Sequence, residues 1–368
     1  MSAQGENDAF VAELAVIARR FLAEQARRRA PYETTASQAC LSLTPKAAEL
    51  GWFLLATPEE RGGLGQDFAA LGALYRELGR ALSPLPLMTA MMAVHALREA
   101  SSDYANAMLD SIGAGDAVVG AQLPHGGAVH VSSAPDGFVL DGRLSHALLP
   151  DGATHLLLQA DLAGEPAVLL IVLDGGVAIK RHEIWDRTRE LADVVFTGVR
   201  ASAEAILAKG EQAVRLIADR SAHFDLALAC DCVGGAEQIL DETVEYTRTR
   251  RQFGREIGSF QALKHRCADM KTELEAAKAL TARAASAIDS SDRAAVIAAG
   301  AKILAAQTYR AIAMDAVQMH GGIGFTWEHD CHLFLKRALL NEALGGSPED
   351  YKDRLFEPMR LAVDAARA

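Results

Sequence analysis

The sequence predicts an α+β fold in which a helical domain, a β domain and a helical bundle follow one another along the chain. Residues from about 8 to 117 are rich in Ala and Leu at helical spacing, as in LGALYRELGRAL. Residues from about 118 to 205 form short β-rich runs separated by Asp-Gly and Gly-Gly turns. From about residue 206 onward, long helical patterns with short connections return, which is typical of an antiparallel bundle.

Breakers and turn residues mark the elements within these three segments. In the first segment, the helical patterns are interrupted by ATPEERGGLGQD and by Pro84 and Pro86. In the second, the β-rich runs are AVHVSS, GFVLDG, THLLLQA, AVLLIVL and DVVFTGV. In the third, the helical patterns exceed the usual length of a globular helix, and Ser259 is a candidate N-cap. We therefore predict domains at 1–117, 118–205 and 206–368.

The composition is that of an ordinary globular protein, with half of the residues apolar and 23% charged. Asp and Glu outnumber Lys and Arg by 48 to 37, and the net charge of −11 argues against a general nucleic-acid-binding surface. No apolar run reaches membrane-spanning length, and the N-terminus lacks the pattern of a secretory signal. We therefore expect a cytoplasmic protein with no membrane span and no nucleic-acid partner.

The cysteines are odd in number and irregularly spaced, which fits reduced thiols in a cytoplasm. They are Cys40, Cys230, Cys232, Cys267 and Cys331. Cys230 and Cys232 lie in an apolar helical stretch that offers no second pair of ligands, so buried packing is the favoured interpretation. We predict no metal site.

Positive charge is concentrated at the end of one predicted helix, around Phe253 and Gly254. The four arginines there are Arg248, Arg250, Arg251 and Arg255. Because arginine suits bidentate contacts with phosphate, the cluster is a candidate phosphate site. The alternative, favoured by spacing alone, is that these side chains cap helix carbonyls and pair with Glu245 or Glu256.

A second motif, QMHGGIGF at residues 318–325, places three glycines within four residues. Glycines let backbone amides approach an anion closely, although a plain turn between helices is the alternative. Together in one helical domain, the two motifs predict a phosphate-bearing cofactor at a junction of helix ends.

Four segments, in the same order, resemble the acyl-CoA dehydrogenase family. They are LGWFLLATPEERGGLGQDFAALGALYRELGRALSPLPL, IWDRTRELADVVFTGVR, RTRRQFGREIGSFQALKHRCADM and QMHGGIGFTWEHDCHLFLKR. The resemblance implies a barrel-like or sandwich-like β domain, an antiparallel four-helix C-terminal bundle, and FAD-dependent α,β-dehydrogenation of an acyl-CoA thioester. It also implies a carboxylate that removes the α-proton, and an electron-transfer flavoprotein as electron acceptor.

In that family, the Arg-x-x-Phe-Gly and Gln-x-x-Gly-Gly segments reach across a dimer interface. They hold the adenosine-pyrophosphate part of an FAD that is bound mainly by the neighbouring chain. By position, the resemblance assigns these contacts to Arg250, Gln252, Phe253, Gln318, Gly321 and Gly322. It therefore implies that the arginine cluster serves an FAD shared across the subunit interface.

The catalytic base of the family is missing at both of its known positions. The usual glutamate position falls on Gly345, and glycine cannot abstract a proton. A minority of the family carries the base on the helix before the arginine cluster, where this chain has Phe224. Asp225 is adjacent, but one residue along a helix turns a side chain by about 100°. Asp225 and Glu342 remain weak candidates, with a paired or solvated carboxylate as the alternative for Asp225 and a surface residue for Glu342.

The family segments that contact the flavin ring are altered too. AQLPHGGAVH keeps little of the family pattern beyond Pro124 and two glycines. In GRLSHALLPDG, His146 stands at the position of a tryptophan that packs on the flavin, and Leu148 at that of a hydroxyl residue. His146 could stack on a ring, but an ordinary β-domain histidine is the favoured interpretation. The groups that tune a flavin are therefore not evident.

One half of an FAD site is thus retained and the other half is lost. The pattern is similar to the base-lacking subunit of the heterotetrameric (α2β2) acyl-CoA dehydrogenases of actinobacterial steroid side-chain degradation, including cholesterol catabolism, which carry two FADs rather than four. The resemblance implies a sister subunit that supplies the flavin cradle and the glutamate. It also implies a bulky CoA thioester, such as a steroid side chain, as substrate.

Two other functions stay open on the sequence. One is a homomeric acyl-CoA dehydrogenase with an atypical base, Asp225 or Glu342. The other is a flavin-free scaffold or acyl-CoA-binding protein that retains only the fold. Retention of both interface motifs argues against the scaffold, and the absence of both base positions argues against the homomeric enzyme.

Overall fold

The computed structural model of the chain describes residues 3–34, 36–100, 102–124, 126–135, 137–174, 176–289 and 293–356. Along the chain, helices come first, strands follow, and helices return. This order confirms the predicted α+β fold class, with helical, sheet and helical segments in sequence. Residues 357–368 of the predicted third domain lie outside the described residues.

The helices before the strands are α1 (Ala3–Gln25), α2 (Ala30–Glu33), α3 (Ala36–Glu49), α4 (Phe68–Ala81), α5 (Leu87–Glu99) and α6 (Asp103–Ala114). The strands are β1 (Val119–Ala121), β2 (Gly127–Ala134), β3 (Gly137–Leu148), β4 (His155–Leu162), β5 (Glu165–Val172), β6 (Val177–Arg181), β7 (Leu191–Ala201) and β8 (Ile206–Lys209). The helices that follow are α7 (Gly210–Thr249), α8 (Gln261–Ala287), α9 (Ala294–His320) and α10 (Cys331–Ala343), with two short strands, β9 (Arg251–Gln252) and β10 (Arg255–Glu256), after α7. Residues 348–356 are also helical.

The chain folds into two compact units, and neither is continuous in sequence. The bundle unit is made of the described parts of Met1–Arg29, Phe68–Ser83 and Asp225–Ala368. The sheet unit is made of the described parts of Ala30–Asp67 and Pro84–Phe224. The three predicted domains stay a prediction, since they divide the chain by sequence order and these units do not.

Within the bundle unit, α9 packs against both α8 and α10, and α1 packs along α4. The contact between α4 and α7 is close enough to require glycine on both sides. A Cβ atom at Gly79 would lie 2.1 Å from the carbonyl oxygen of Asp231, and one at Gly234 would lie 1.9 Å from that of Arg76. The glycines therefore allow the backbone of α4 to pack closely against the part of α7 that belongs to the bundle unit.

Within the sheet unit, β1 and β2 each pair with both β3 and β4, and the path β6-β7-β3-β1-β4-β5-β8 leads from one edge to the other. The alternating apolar side chains of these strands form the core, among them Leu140, Leu144, Leu156, Leu158, Leu169 and Val194. The antiparallel pairing of β3 and β7 shifts register between Leu144 and Ala147. This β-bulge changes the direction in which the residues within it point.

Three smaller expectations can be compared with the structure. Ser259 is not the N-cap of α8, because that helix begins at Gln261 and the Ser259 hydroxyl donates to the carbonyl of Glu256. Cys230 and Cys232 are buried, as predicted, and all five cysteines are free thiols. Among the described residues, no helix is both long and apolar enough to cross a membrane.

Candidate functional site

The arginine cluster lies at the C-terminus of α7, where the chain folds into a two-residue hairpin. Gln252 pairs with Arg255 across the β9–β10 ladder, and the turn between them is Phe253-Gly254. Both turn residues have positive φ, 53° at Phe253 and 80° at Gly254, as a type I′ turn requires. A phenylalanine with positive φ is strained, and this one leaves 88% of its surface in solvent. Because the ring is so exposed, its packing within the described chain does little to offset the strain of this backbone conformation.

The four arginines of the cluster differ in what they contact. Arg248 lies 3.7 Å from Glu245 and Arg251 lies 3.6 Å from Glu256, so the pairing alternative holds for these two. The guanidinium of Arg255 lies 4.0 Å above the ring centroid of Phe260. The Arg250 side chain has no ionic or hydrogen-bonding partner within the described ranges of the chain. Arg250 is also the arginine to which the resemblance assigns a contact with FAD.

The glycine motif lies at the C-terminus of α9. Gln318 is exposed in the last turn of the helix, and Gly321 has φ 66° and ψ −144°, a conformation that favours glycine. At Gly322, φ is not positive and a Cβ atom would meet nothing within 4 Å. Nothing described in this chain therefore requires glycine at position 322.

A stack of aromatic side chains brings the two motifs together. The Tyr246 ring lies 4.3 Å from the His320 ring, and the Tyr246 hydroxyl donates to the His320 carbonyl at 3.4 Å. Burial lowers the pKa of His320, whose Nδ1 lies 2.7 Å from the carbonyl oxygen of Ala316. Its Nε2 is buried and has no hydrogen-bond partner within the described chain. The neutral His320 thus links the end of α7 to the end of α9.

Ion pairs from the segment between α1 and α2 hold the same two regions in place. Arg28 donates to Glu242 of α7 at 2.7 Å, and Arg29 donates to Asp330, just before α10, at 2.6 Å. These arginines line a cavity of about 480 Å³ together with Arg19, Arg27 and Arg80. Carboxylates pair with Arg19, Arg28, Arg29 and Arg80, so the cavity wall contains an ion-pair network that positions α7 and Asp330.

The residues that the resemblance assigns to FAD therefore lie on two adjacent helix ends, and all of them are exposed. We call this set the helix-end surface: Arg250, Gln252, Phe253, Gln318, Gly321 and Gly322. Phe325 and Trp327 follow it in the chain and are also largely exposed. An unpaired guanidinium, an amide side chain near each helix end and unobstructed glycines are a donor set that fits a pyrophosphate, although both helices end here at their C-termini and their dipoles do not contribute.

The family's usual base position, Gly345, lies in the turn after α10. Gly345 is buried and has φ 78°, and Gly346 has φ 124°. Lys302 of α9 holds this turn through its Nζ, which donates to the carbonyls of Glu342 at 2.9 Å and Gly346 at 3.4 Å. The turn therefore lacks the carboxylate and also has a backbone conformation that disfavours any side chain at position 345.

Asp225, the first candidate base, is only 1% exposed and its carboxylate is fully engaged. The Tyr351 hydroxyl donates a short hydrogen bond to its Oδ1, and Arg354 donates to its Oδ2 at 3.2 Å. Burial raises the pKa of Asp225 to about 6, although both hydrogen bonds oppose that rise. Asp225 is thus a paired internal carboxylate, as the alternative interpretation held, with no exposed oxygen to meet a substrate.

The other two positions offer no better base. Phe224 is completely buried and carries no titratable group. Glu342 is half-buried rather than a surface residue, and its carboxylate pairs with Arg310 at 3.2 Å.

A second buried ion pair involves Asp231, six residues after Asp225 along α7. Arg337 of α10 is 1% exposed and donates to Asp231 at 3.0 Å and to the Ser83 carbonyl at 3.0 Å. Asn341 donates to Asp231 at 2.7 Å. We call the full set the buried polar cluster: Asp225, Asp231, Lys302, Arg337, Asn341 and Tyr351. Sequence reasoning missed all of it except Asp225, although one charged residue in the apolar run GAKILAA was a signal for Lys302.

In the sheet unit, the positions assigned to the flavin ring do not form a cradle for it. Leu148 is buried in the core and presents no hydroxyl donor. His146 is exposed, has φ 56°, and stacks on His182 with the ring centroids 4.8 Å apart. Pro124 is half-buried. The residues present in this unit therefore do not fit the ring end of an FAD.

Two family models match this chain. The acyl-CoA dehydrogenase N-terminal domain family matches residues 7–114, and the acyl-CoA dehydrogenase C-terminal domain family matches residues 215–355. Acyl-CoA dehydrogenase IpdE2 of Mycobacterium tuberculosis is 32% identical over 312 residues, covering 83% of this chain and 83% of that protein.

Solved structures give the same result for the fold. A variant of the Tcur3481-Tcur3483 steroid ACAD superposes with a TM-score of 0.87 at 25% identity, covering 98% of this chain and 100% of that one. The ChsE4-ChsE5 complex from Mycobacterium tuberculosis superposes with a TM-score of 0.86 at 24% identity, covering 95% and 97%. The chain belongs to the acyl-CoA dehydrogenase family, whose members are FAD-dependent oxidoreductases acting on acyl-CoA.

Proposed function

We propose that this chain is a non-catalytic subunit of a heteromeric acyl-CoA dehydrogenase, in which its helix-end surface completes the FAD site of a sister subunit. The observation that carries the proposal is a contrast within one compact unit. Arg250 is exposed and unpaired within the described chain, while the family's base position is a buried glycine. The chain retains the residues assigned to the FAD of a neighbouring chain, and it lacks a carboxylate at the family's base position.

In this role, each residue of the helix-end surface binds rather than reacts. The Arg250 guanidinium would hold the pyrophosphate of the cofactor through charged hydrogen bonds, and the side-chain amides of Gln252 and Gln318 would be further donors to it. The open backbone at Gly321 and Gly322 lets the cofactor approach closely, since a Cβ atom at either position points into empty space. Phe253, already exposed at its turn, covers apolar surface of the cofactor or of the sister chain.

The bound FAD supplies the acceptor for the hydride that leaves the β-carbon of an acyl-CoA thioester. The sister subunit supplies the carboxylate that takes the α-proton, because Gly345 and Phe224 cannot and Asp225 has no free oxygen. This chain contributes electrostatic stabilisation and orientation of the cofactor, with no proton transfer of its own. Its buried polar cluster holds the turn at Gly345 closed and takes no part in the reaction.

The assembly we propose is an α2β2 heterotetramer with two FADs, acting on a bulky CoA thioester such as that of a steroid side chain. The superposed structures support this choice, since one is a steroid ACAD and another is the ChsE4-ChsE5 complex. An electron-transfer flavoprotein is the acceptor we propose for the electrons. We also propose a cytoplasmic location, which fits five cysteines that are all thiols.

The experiment is to measure flavin in this chain purified alone and co-purified with the acyl-CoA dehydrogenase chain encoded beside it. We expect a colourless lone chain and a yellow complex with about one FAD per pair of chains, because a ligand bound across an interface needs both faces. A yellow lone chain with one FAD per protomer would overturn the proposal. It would favour the homomeric enzyme, which Asp225→Asn and Glu342→Gln would then test.

A matched pair of variants tests the surface itself. Arg250→Ala should lower the affinity of the complex for FAD at least tenfold, which corresponds to about 1.4 kcal/mol and is the usual scale of a lost charged hydrogen bond. Arg248→Ala is the control, because Arg248 lies two residues before Arg250 but pairs with Glu245. If Arg250→Ala and Arg248→Ala retain FAD equally, the chain is a scaffold without a role in cofactor binding.

A further inference from the structure

We propose that the sheet unit contains a binding site for a divalent transition-metal ion such as Zn²⁺, formed by His146, His182 and Asp193. In this group, each residue offers one ligand atom, and the three atoms lie within 4.8 Å of one another. Two imidazoles and one carboxylate are a donor set that Zn²⁺ accepts, with a fourth position left for water. The inference does not depend on the proposed function, because no residue of the helix-end surface takes part.

Asp193 is the fixed ligand of the site. It lies on β7, is 5% exposed, and its Oδ1 is 2.8 Å from Nε2 of His182. A carboxylate oxygen is a donor that Zn²⁺ accepts, and that of Asp193 is held in place by its neighbours. Arg143 donates to the other oxygen, Oδ2, at 2.5 Å and holds the carboxylate from outside the site.

His146 is directed toward Asp193 by an irregular backbone. It lies within the β-bulge between Leu144 and Ala147, and its φ of 56° places it in the left-handed region. Its backbone N–H donates to Asp193 Oδ1 at 3.2 Å. Strain of this kind is uncommon outside functional sites, and here it brings the ring of His146 over that of His182.

The proposed site is open to solvent, and one of its ligands is able to move. His146 is exposed and His182 half-buried, so an ion reaches the donors from solvent. Ligands of a tetrahedral Zn²⁺ at about 2.0–2.1 Å are separated by roughly 3.3 Å. His146 must therefore move inward by about an ångström or two, while the donors of His182 and Asp193, which are 2.8 Å apart, must separate slightly. The exposed side chain of His146 can make that movement without disturbing the buried carboxylate. The ion would take the place of the hydrogen bond between His182 and Asp193.

No motif of closely spaced ligands in the sequence indicates this site. His146 is 47 residues before Asp193 and His182 is 11 residues before it. His146 lies on β3 and His182 directly follows β6, and the pairing of β7 with both strands brings them together. The sequence prediction of no metal site depended only on ligands that are close together in the sequence. His146 also occupies the position that the resemblance assigned to a ring contact of flavin, so the proposed ligand replaces the one that this unit no longer fits.

The test is a Zn²⁺ titration of the untagged, chelator-treated full chain by calorimetry, repeated on single variants. We expect one saturable equivalent per chain in the wild type, and a loss of affinity of at least tenfold in His146→Ala and in His182→Ala. His130→Ala is the matched control, because His130 faces a single carboxylate, Asp161, at 4.0 Å on the same sheet. The control should bind like the wild type.

Co²⁺ gives an independent readout, since its strong visible absorption in a low-coordinate site should appear with one equivalent and vanish in both histidine variants. The absence of saturable Zn²⁺ uptake would overturn the proposal. Retention of wild-type affinity in His146→Ala and His182→Ala would overturn it equally. A similar loss of affinity in His130→Ala would do the same, because it would show diffuse binding by surface histidines.

Discussion

The helix-end surface and the buried polar cluster belong to the same compact unit, yet they treat their polar groups in opposite ways. At the helix-end surface, Arg250 is unpaired within the described chain and the space around Gly322 is empty. In the buried polar cluster, Asp225, Lys302 and Arg337 each have two or more partners within the chain. The surface is incomplete in isolation, whereas the charged groups of the interior are paired within the chain.

The difference indicates which functions selection can have retained. An exposed phenylalanine with positive φ and an unpaired arginine contribute little to the stability of the described chain, so a ligand or partner outside the chain explains them better. Buried, hydrogen-bonded charges are explained by the stability of the fold, because removing one partner leaves another charge unpaired and desolvated. The comparison predicts that changes in the cluster alter stability, and that changes at the surface alter only cofactor binding.

The largest effect should come from the ion pair between Asp231 and Arg337. Asp231→Ala leaves a guanidinium that is 1% exposed without its carboxylate, so the free energy of unfolding should fall by about 3–5 kcal/mol. Urea denaturation of the full chain, followed by circular dichroism, measures the change. Glu245→Ala is the control, because it breaks an exposed pair with Arg248 and should cost less than about 1 kcal/mol. Equal costs for the two variants would contradict the comparison.

The next effect is a dependence of stability on pH that Asp225 introduces. Its pKa of about 6 in the folded chain lies above the unfolded value near 4, so the folded chain binds more protons between these values. The contribution of Asp225 to the free energy of unfolding should therefore fall by about 2–3 kcal/mol as the pH rises from 4 to 6. Asp225→Asn should remove that slope.

Denaturation midpoints at several pH values in wild type and Asp225→Asn give the slope by difference. Glu245→Gln serves as the exposed control and should leave the wild-type slope unchanged. An unchanged slope in Asp225→Asn would show that this carboxylate is not buried as described. The dependence of stability on pH that comes from Asp193 of the sheet unit runs in the opposite direction. Because the pKa of Asp193 is lowered in the folded chain, its contribution to the free energy of unfolding is lost as the pH falls below about 4.

How far the sequence predicts these regions depends on whether the information is local. The order of helices and strands follows from apolar periodicity, and the positions of Arg250 and Gly321 follow from short motifs. The pairing of Lys302 with the turn at Gly346 is a tertiary contact between residues 44 apart, so no spacing rule contains it. For the arginines, the resemblance already singles out Arg250, but spacing alone does not say which of the four are paired, and only the structure shows that Arg248 pairs with Glu245.

The turn at Gly345 gives a smaller effect on the interior side of the comparison. Gly345→Glu restores the residue type of the family's base, but at φ 78° and in a buried turn. We expect a loss of roughly 1–3 kcal/mol in the free energy of unfolding and no gain of dehydrogenase activity in the lone chain. Denaturation and an acyl-CoA oxidation assay measure the two quantities. Activity in the lone variant would show that position 345 faces a working substrate site.

The smallest effect on stability should accompany a clear effect on the cofactor, at Gly322. Because its φ is not positive and a Cβ atom there meets nothing within 4 Å, Gly322→Leu should change the free energy of unfolding by no more than about 0.5 kcal/mol. In the complex with the sister chain, the same leucine fills the space that we assign to the pyrophosphate. FAD content, measured by visible absorbance after gel filtration, should therefore fall at least tenfold.

Gly300→Leu is the control for this substitution, because a Cβ atom at Gly300 of α9 also meets nothing within 4 Å but lies outside the helix-end surface. It should retain FAD. If Gly322→Leu retains FAD as well, the empty space at the helix ends is not a cofactor contact. The surface would then have to be explained by protein–protein contact alone, since Arg250 and Phe253 would remain exposed without a ligand to cover them.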